Sequence, residues 1–234
     1  MVTMRFLYRR HLALRLLNEL SPHTALEIGF STRPLLSETT IPHRLGIDLN
    51  PEFCRRAPFP AQNTDEKDFI PQQPFDLVIA LEVLEHLPND DEALQRWASW
   101  LNPGGHLLLS VPARMAHWDA NDVFSGHVRR YEKKELQLRL AQAGFHLVDF
   151  YCYGFPLFNL LKRVGNLAMR QKLKTFAGVG TSQENPGTLQ GAKMTFGKLL
   201  ANPLVFRAHD LFLGTDLGIG YMALVKKEIS FSKK

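Results

Sequence analysis

Apolar and polar positions along the chain alternate between two kinds of segment. Short apolar runs bounded by Gly, Pro or Asp are typical of strands buried on both faces, and the segments between them have apolar residues at helical spacing. The runs predict strands over residues 24–29, 43–48, 75–81, 105–112, 145–153 and 217–228. The helical spacing predicts helices over residues 4–20, 90–101 and 132–144. This alternation predicts an α/β fold with a mostly parallel sheet and helices on both faces.

The last two predicted strands are separated by a long segment of a different character, residues 154–216. It opens with a basic, amphipathic pattern over 155–174, continues through a polar stretch, and ends in a second apolar pattern of helical spacing. We predict a helical insertion before the last strand. The chain is then a single domain, 1–234, with its core in 20–153 and 217–228.

Composition restricts the class of protein more than the activity. With 234 residues, 45% of them hydrophobic, the chain can bury one substantial core. Cys54 and Cys152 lie far apart and match no disulfide framework or metal knuckle, so we expect reduced thiols in a cytoplasmic protein. No apolar run is long enough to span a membrane. The net charge of +5 is compatible with an anionic cofactor, a membrane surface or RNA.

The stretch "LEIGFSTRPLL", residues 26–36, has the pattern of a tight strand-to-helix turn. Ligands of open α/β sheets bind at the carboxyl ends of the strands, where such turns bring backbone N–H groups close. Asp48 ends the next strand, about 20 residues after Gly29, where an acidic side chain can accept hydrogen bonds from ribose hydroxyls. By itself, this pair of residues is a weak indication of a cofactor site.

Further motifs follow the turn in a fixed order. They read "LEIG", "GIDLN", "FDLVIALEVLEHLPN", "LNPGGHLLLSVP" and "GHVRRYEKKELQLRLAQAGF". Together they resemble the class I S-adenosylmethionine-dependent methyltransferases, in particular the small-molecule group that carries "VLEHL" and "GHxRRY" segments. The resemblance covers about 20–153 and the last strand. It implies a Rossmann-like sheet and S-adenosylmethionine as the cofactor.

The resemblance also implies which residues bind the cofactor. In the family the first loop reads acidic-x-Gly-x-Gly-x-Gly, and the corresponding residues here are Glu27, Gly29, Ser31 and Arg33. Two of the three glycines are thus replaced. We expect an altered cofactor loop in which Ser31 still donates to the cofactor, with affinity lowered because glycine allows positive φ and close backbone approach.

The other cofactor contacts that the resemblance implies come from the following strands. Asp48 would hold the ribose diol, Leu49 would pack on the adenine, Asp65 would accept from the adenine amino group, and Leu81 would border the site. Two alternatives stay open. Asp48 could cap the helix that follows it, and Asp65 could be a solvated loop residue.

Candidate chemical groups follow the strand that ends at Leu81. Glu82, Glu85 and His86 stand at i, i+3 and i+4, so a helical turn would project all three from one face. We expect Glu85 and His86 to act in catalysis, together with His127 from the later "GHVRRY" segment. The alternative is structural, with Glu85 bonded to backbone and His86 packed under the cofactor.

The "GHVRRY" segment supplies a second polar group, which the resemblance places over the substrate side of the pocket. Arg129 and Tyr131 are the expected acceptor contacts. Alternatively, Arg129 is a surface charge and Tyr131 a core ring.

A divalent metal is a further hypothesis. Glu82, Glu85, His86 and His127 offer two carboxylates and two imidazoles, a set that suits Zn²⁺, Mn²⁺ or Fe²⁺. The pattern is similar to that of metal-dependent O-methyltransferases that make quinones or cap small-RNA ends.

The activity expected from the resemblance is methyl transfer to an oxygen or nitrogen of a small or lipid-linked acceptor. The basic segment 155–174 indicates peripheral membrane contact, unless its apolar face only packs on the domain. An RNA methyltransferase is an alternative, although no basic stripe interleaved with aromatic residues is visible and no nucleic-acid partner is expected. A non-catalytic binding protein with an eroded cofactor loop is another.

Overall fold

The computed structural model describes residues 4–156 and 203–228. Its helices are α1 (Met4–Leu17), α2 (Pro51–Arg56), α3 (Asp90–Ser99), α4 (Ala120–Ser125), α5 (Lys133–Gln142) and α6 (Pro203–Asp210). Its strands are β1 (Thr24–Ile28), β2 (His43–Asp48), β3 (Ala61–Asn63), β4 (Phe75–Leu81), β5 (Leu101–Pro112), β6 (Phe145–Tyr153) and β7 (Gly220–Lys227). Short 3₁₀ turns cover Leu35–Glu38, Leu84–His86 and Met115–His117.

The strands form one sheet in the order β3-β2-β1-β4-β5-β7-β6. Strands β1 to β5 pair in parallel, and β7 pairs antiparallel to β5. This confirms the predicted Rossmann-like α/β fold with a mostly parallel sheet. The register aligns Ile28 with Ile47 and with Ala80, so the carboxyl ends of β1, β2 and β4 meet at one edge.

The core lies on both faces of the central strands. Leu77 to Ala80 of β4 and Leu107 to Leu109 of β5 are fully buried. On one face, α3 contributes the fully buried Trp97, whose indole N–H donates to Glu66 at 3.1 Å. Uniformly apolar strands of this kind are what parallel pairing requires, since helices cover both faces of the sheet.

The described residues divide into two compact units. The larger unit holds 12–151 and 220–228 and therefore most of the sheet. The smaller unit holds 4–11, 152–156 and 203–219. In the smaller unit the Tyr8 hydroxyl donates to Asp210 at 2.6 Å, and the Tyr8 ring packs edge-on against Phe206.

Residues 157–202, the larger part of the predicted insertion 154–216, lie outside the described residues. The insertion and the single-domain arrangement therefore stay predictions. In the two described stretches, no helix has both the length and the apolar character needed to cross a membrane. Cys54 and Cys152 are both free thiols.

Candidate active site

The carboxyl edge of the sheet concentrates backbone strain. Among the described residues, three other than glycine have positive φ: Ser31 at 56°, Glu82 at 57° and Arg114 at 57°. They follow the carboxyl ends of β1, β4 and β5, respectively. Left-handed backbone costs an L-residue about 1–2 kcal/mol, and such strain is concentrated at functional sites. This edge is therefore the first place to look for a site.

The predicted cofactor loop follows β1 at this edge. Gly29 has φ of 62°, and its N–H donates to the Ile47 carbonyl at 2.8 Å, which keeps the loop on the sheet. A Cβ on Gly29 would lie 2.9 Å from Val83, so the position has little room for a larger residue. Ser31 adopts the left-handed conformation where the family has a glycine. At Ser31 the backbone of the loop therefore has the positive φ that a glycine would allow, although the residue is not glycine.

Two contacts that sequence reasoning missed hold the altered loop. The Glu27 carboxylate is buried and accepts from the N–H groups of Leu35 at 2.7 Å and Leu36 at 2.9 Å. The Phe30 ring lies on Gly46, where an added Cβ would come within 2.6 Å of it. In the sequence, the only indication of this packing is a glycine in the second strand, Gly46, and an aromatic residue after the first strand, Phe30. Glu27 therefore holds the loop by bonding its backbone.

Ser31 offers a test of the loop's conformation. We expect Ser31→Val to lower the free energy of unfolding by about 1–3 kcal/mol and to weaken S-adenosylhomocysteine binding, because a β-branched residue is a strong outlier at positive φ. Ser31→Gly is the control, since it also removes the hydroxyl but accepts the conformation. Denaturant unfolding and calorimetry would measure both. Equal stability of the valine variant and the wild type would contradict a left-handed Ser31.

Asp48 joins the loop to the end of β2. Its carboxylate accepts from the Ser31 N–H at 2.9 Å and from the Asn50 N–H at 2.8 Å, and it is largely buried. The cap of α2 is Asn50, whose side chain accepts from the Glu52 N–H, and this excludes Asp48 as the cap of that helix. Each carboxylate oxygen retains a second lone pair that can accept from a ribose hydroxyl.

The remaining predicted cofactor residues lie along the same edge. Leu49 is 71% exposed beside Asp48, so its side chain is open to a ligand at this edge. Asp65 accepts from the Lys67 N–H at 3.2 Å and pairs with the Lys67 ammonium at 3.5 Å, so it lies in a turn with part of its carboxylate engaged. Leu81 ends β4, next to Ser110 of β5.

The segment after β4 differs from the helical turn predicted for it. Only Leu84–His86 is helical, and it is a 3₁₀ turn. Glu82 precedes the turn in left-handed conformation, and its carboxylate accepts from the Ser110 hydroxyl at 3.2 Å. Glu82 therefore does not share one helical face with Glu85 and His86. The reason is that β4 must turn sharply at Glu82 to leave the sheet.

The structure brings Glu85 and His86 together with His127, a contact of long sequence separation. Ligand-type atoms of these three residues lie within 4.8 Å of one another, and in the described part of the chain no other such group of three His, Cys, Asp or Glu occurs. The Nε2 atom of His127 is 3.8 Å from the fully buried Glu85 carboxylate, and the two imidazole rings meet edge-on with centroids 4.8 Å apart. We call these three residues the polar cluster.

Both imidazoles of the polar cluster are held through Nδ1. His86 Nδ1 lies 3.2 Å from the Gly126 carbonyl oxygen, and His127 Nδ1 lies 2.8 Å from the Asp122 carboxylate. A carbonyl and a carboxylate can only accept, so each Nδ1 carries the proton and a neutral ring leaves its Nε2 as an acceptor. Burial lowers the pKa of His86, and the bond to Gly126 only partly offsets this.

Arg129 and Tyr131, the expected acceptor contacts, lie on a buried carboxylate instead. The Tyr131 hydroxyl donates to Asp90 at 2.8 Å, and burial is the main reason that the pKa of Tyr131 is raised. Arg129 pairs with the same Asp90 at 2.7 Å and donates to the Pro88 carbonyl at 2.6 Å. The Tyr131 hydroxyl is also 3.3 Å from the Leu84 carbonyl oxygen. In this structure both side chains brace the turn that carries the polar cluster.

Comparison with known proteins shows the family of the chain. The family model described as a methyltransferase domain matches residues 5–149. Among curated proteins, a sequence search gives no match. The N-methyltransferase NodS of Bradyrhizobium japonicum WM9, solved with S-adenosylhomocysteine, is 26% identical over 65% of this chain and 82% of its own, with a TM-score of 0.52.

Two more distant structures share the fold. A possible histamine N-methyltransferase of Thermotoga maritima is 16% identical, with coverage of 96% of this chain and 91% of its own and a TM-score of 0.60. The [4+2]-cyclase SpnF is 18% identical, with coverage of 94% and 81% and a TM-score of 0.59. A cyclase on this fold illustrates that the architecture alone does not fix the reaction.

The family match covers more than half of the chain, and the ordered motifs, the sheet order and the site at its carboxyl edge all agree with it. The chain therefore belongs to the methyltransferase-domain family and is a class I S-adenosylmethionine-dependent methyltransferase.

Proposed function

We propose that the enzyme transfers a methyl group to an oxygen or nitrogen of a small or lipid-linked acceptor, with the polar cluster facing that acceptor. The observation that carries the proposal is the convergence of Glu85, His86 and His127 within 4.8 Å, on loops that leave the carboxyl ends of the parallel strands. In open α/β sheets this edge is where ligands bind.

The residues at this edge fit the cofactor. Asp48 would bind the ribose diol and Leu49 would pack on the adenine, with Asp65 accepting from the adenine amino group and Leu81 at the border. Gly29 and the Ser31 hydroxyl would lie against the amino-acid portion, because the backbone N–H groups of these two residues already donate to Ile47 and Asp48. S-adenosylmethionine supplies a methyl group activated by its sulfonium. The residue-by-residue assignment follows the family motif, and the hydrogen bonds from Ser31 and Asn50 to Asp48 support it.

The polar cluster would then serve the acceptor. With Nδ1 protonated, Nε2 of His127 can take the acceptor's proton as the new bond to the methyl carbon forms and the carbon–sulfur bond breaks, its electron pair remaining on sulfur. The buried Glu85 carboxylate, 3.8 Å away, would stabilise the imidazolium that results. General base catalysis of this kind typically contributes about 10²–10⁴-fold to a rate.

Exposed apolar side chains near the cluster support an acceptor with a hydrophobic part. Met115, Val123, Phe124 and Val128 belong to the segment that carries His127, and Phe124 is 93% exposed. The basic pattern over 155–174 adds to this on sequence grounds, although residues 157–174 lie outside the described ones. The name of NodS, an N-methyltransferase, supports nitrogen as one candidate acceptor atom.

Methyl transfer from tritiated S-adenosylmethionine to fractionated cell extract tests the acceptor class. We expect label in the water-soluble small-molecule fraction or in the lipid fraction. The His127→Gln variant is the negative control. Label confined to RNA would favour the alternative, an RNA methyltransferase.

As an alternative to the general-base role of His127, we propose that the polar cluster binds a divalent cation. A carboxylate with two imidazoles, each held at Nδ1 by an outer acceptor, is a donor set suited to Zn²⁺, Mn²⁺ or Fe²⁺. A bound cation would orient an acceptor hydroxyl and lower its pKa. Glu82, the fourth ligand expected from the sequence, is not part of the three-residue group and bonds Ser110.

Elemental analysis of protein purified without chelator or nickel resin tests the metal. We expect about one equivalent of metal per chain in the wild type and its loss in Glu85→Gln, because the variant removes the only charged donor. Glu82→Gln is the control and should keep the metal. Metal-free protein whose activity is unchanged by EDTA would leave His127 as a metal-free base and His86 as an acceptor contact.

A further inference from the structure

A buried ion pair lies directly behind His127. Asp122 in α4 is 1% exposed and Arg130 is 5% exposed. Both Nε and Nη2 of Arg130 lie 2.9 Å from Oδ1 of Asp122. Arg130 also donates through Nη1 to the Ala113 carbonyl at 3.2 Å, next to the end of β5. The pair therefore fixes α4 to the sheet edge.

The same Oδ1 atom of Asp122 also accepts from the ring of His127. The distance to Nδ1 is 2.8 Å, and the backbone N–H of His127 donates to the Asp122 carbonyl at 2.9 Å. On its far side the segment is tied to the cluster, since the Val128 N–H donates to the Glu85 carbonyl at 2.9 Å. The ring is thus held between two anchored carboxylates, with Nδ1 on Asp122 and Nε2 towards Glu85.

A purely structural role explains this arrangement poorly. The desolvation cost of a buried ion pair offsets most of its attraction, and apolar residues of similar size often stabilise a protein as well or better. A carboxylate that orients an imidazole and fixes its tautomer has a chemical consequence, because it decides which nitrogen can accept a proton or bind a metal.

We propose that Asp122, held by Arg130, is a positioning residue that keeps the proton of neutral His127 on Nδ1 and leaves Nε2, on the side of Glu85, as the nitrogen that takes a proton from the methyl acceptor. The inference rests on the proposed function, in which the polar cluster faces the acceptor. Asp122 itself touches neither acceptor nor cofactor. It acts through His127 alone.

The experiment compares two variants chosen to separate tautomer from folding. Asp122→Ala would leave the buried Arg130 unpaired and could unfold the protein, so the test variant is Asp122→Leu with Arg130→Met, which replaces both charges by apolar groups. The control is Asp119→Ala. It removes the α4 cap bond from Asn121 N–H to Asp119, at 2.9 Å, but keeps the bond from His127 to Asp122.

Nitrogen-15 NMR of histidine-labelled protein reads the tautomer, with His127 assigned by its loss in His127→Gln. At a pH where the ring is neutral, we expect the wild type and Asp119→Ala to show the proton on Nδ1, and the double variant to show a several-fold larger Nε2–H population. S-adenosylhomocysteine affinity should stay within about 3-fold in all variants. Methyl transfer to the accepting extract fraction should fall at least 10-fold in the double variant alone.

The outcomes separate the inference from the function on which it rests. An unchanged tautomer in the double variant would overturn the role of Asp122, whatever the enzyme methylates. A changed tautomer with unchanged transfer would overturn it too. If the wild type labelled no fraction at all, the proposed function would fail, and the NMR result would still decide whether Asp122 sets the tautomer.

Discussion

Replacing Asp48 by alanine should weaken S-adenosylhomocysteine binding by about 5- to 150-fold, or about 1–3 kcal/mol. The Asp48 carboxylate makes two kinds of interaction. It would accept from the ribose diol, and it holds the N–H groups of Ser31 and Asn50 at 2.9 and 2.8 Å. Its loss therefore removes a ligand contact and frees the cofactor loop. Isothermal titration calorimetry measures the change directly.

A matched control for Asp48→Ala is Asn50→Ala. This change removes the α2 cap, in which the Asn50 side chain accepts from Glu52 at 2.9 Å, but leaves the Asp48 carboxylate in place. Its expected cost is about 1 kcal/mol of stability with little change in affinity. If Asp48→Ala bound the ligand as tightly as Asn50→Ala, Asp48 would not be the ribose residue.

The largest loss of turnover should come from His127→Gln, about 10²–10⁴-fold, the typical contribution of a general base. Glutamine keeps a polar group near Glu85 but cannot take a proton at neutral pH. Cofactor affinity should be unchanged, because His127 is not among the proposed cofactor contacts. Initial rates with tritiated S-adenosylmethionine and the accepting fraction give the measurement.

His117→Gln is the control for that variant. His117 lies on the same segment, with Nε2 2.8 Å from the Arg114 guanidinium, and it is not part of the polar cluster. Its rate should stay close to that of the wild type. Equal rates for the two variants would remove His127 from the chemistry.

The fold could be predicted from the sequence because its central strands carry an unambiguous signal. Strands β1, β2 and β4 begin and end within a residue of their apolar runs, since strands buried on both faces read as continuous hydrophobic stretches. Strand β3, Ala61–Asn63, was missed because it is short, polar and at the sheet edge. Strand β5 begins at Leu101, four residues before its apolar run, across "NPGG".

The candidate site was predictable in its residue types but not in its geometry. Sequence spacing put Glu82 with Glu85 and His86 on one helical face, whereas β4 turns sharply at Glu82, whose carboxylate bonds Ser110 and is not part of the three-residue group. The approach of His127 to Glu85 depends on how two loops fold back at the sheet edge. No local pattern encodes that contact.

The sequence also could not predict which residues pair with the buried charged side chains. The sequence around Asp122 indicates no partner for its carboxylate, and only the structure pairs it with Arg130 and His127. Burial alone would raise the pKa of the Asp122 carboxyl. Hydrogen bonds from Arg130, the Asp119 backbone and His127 outweigh burial and hold that pKa below its usual range. The residue is therefore a carboxylate wherever the protein is folded near neutral pH.

A crystal structure with S-adenosylhomocysteine would test the central claim most directly. We expect one ligand at the carboxyl ends of β1 and β2, with its ribose diol on Asp48 and its adenine on Leu49. We also expect its sulfur to face His127, with space for an acceptor group between them. A ligand whose sulfur points away from Glu85, His86 and His127 would exclude the polar cluster from the reaction, and a ribose that does not meet Asp48 would exclude Asp48 as the ribose residue.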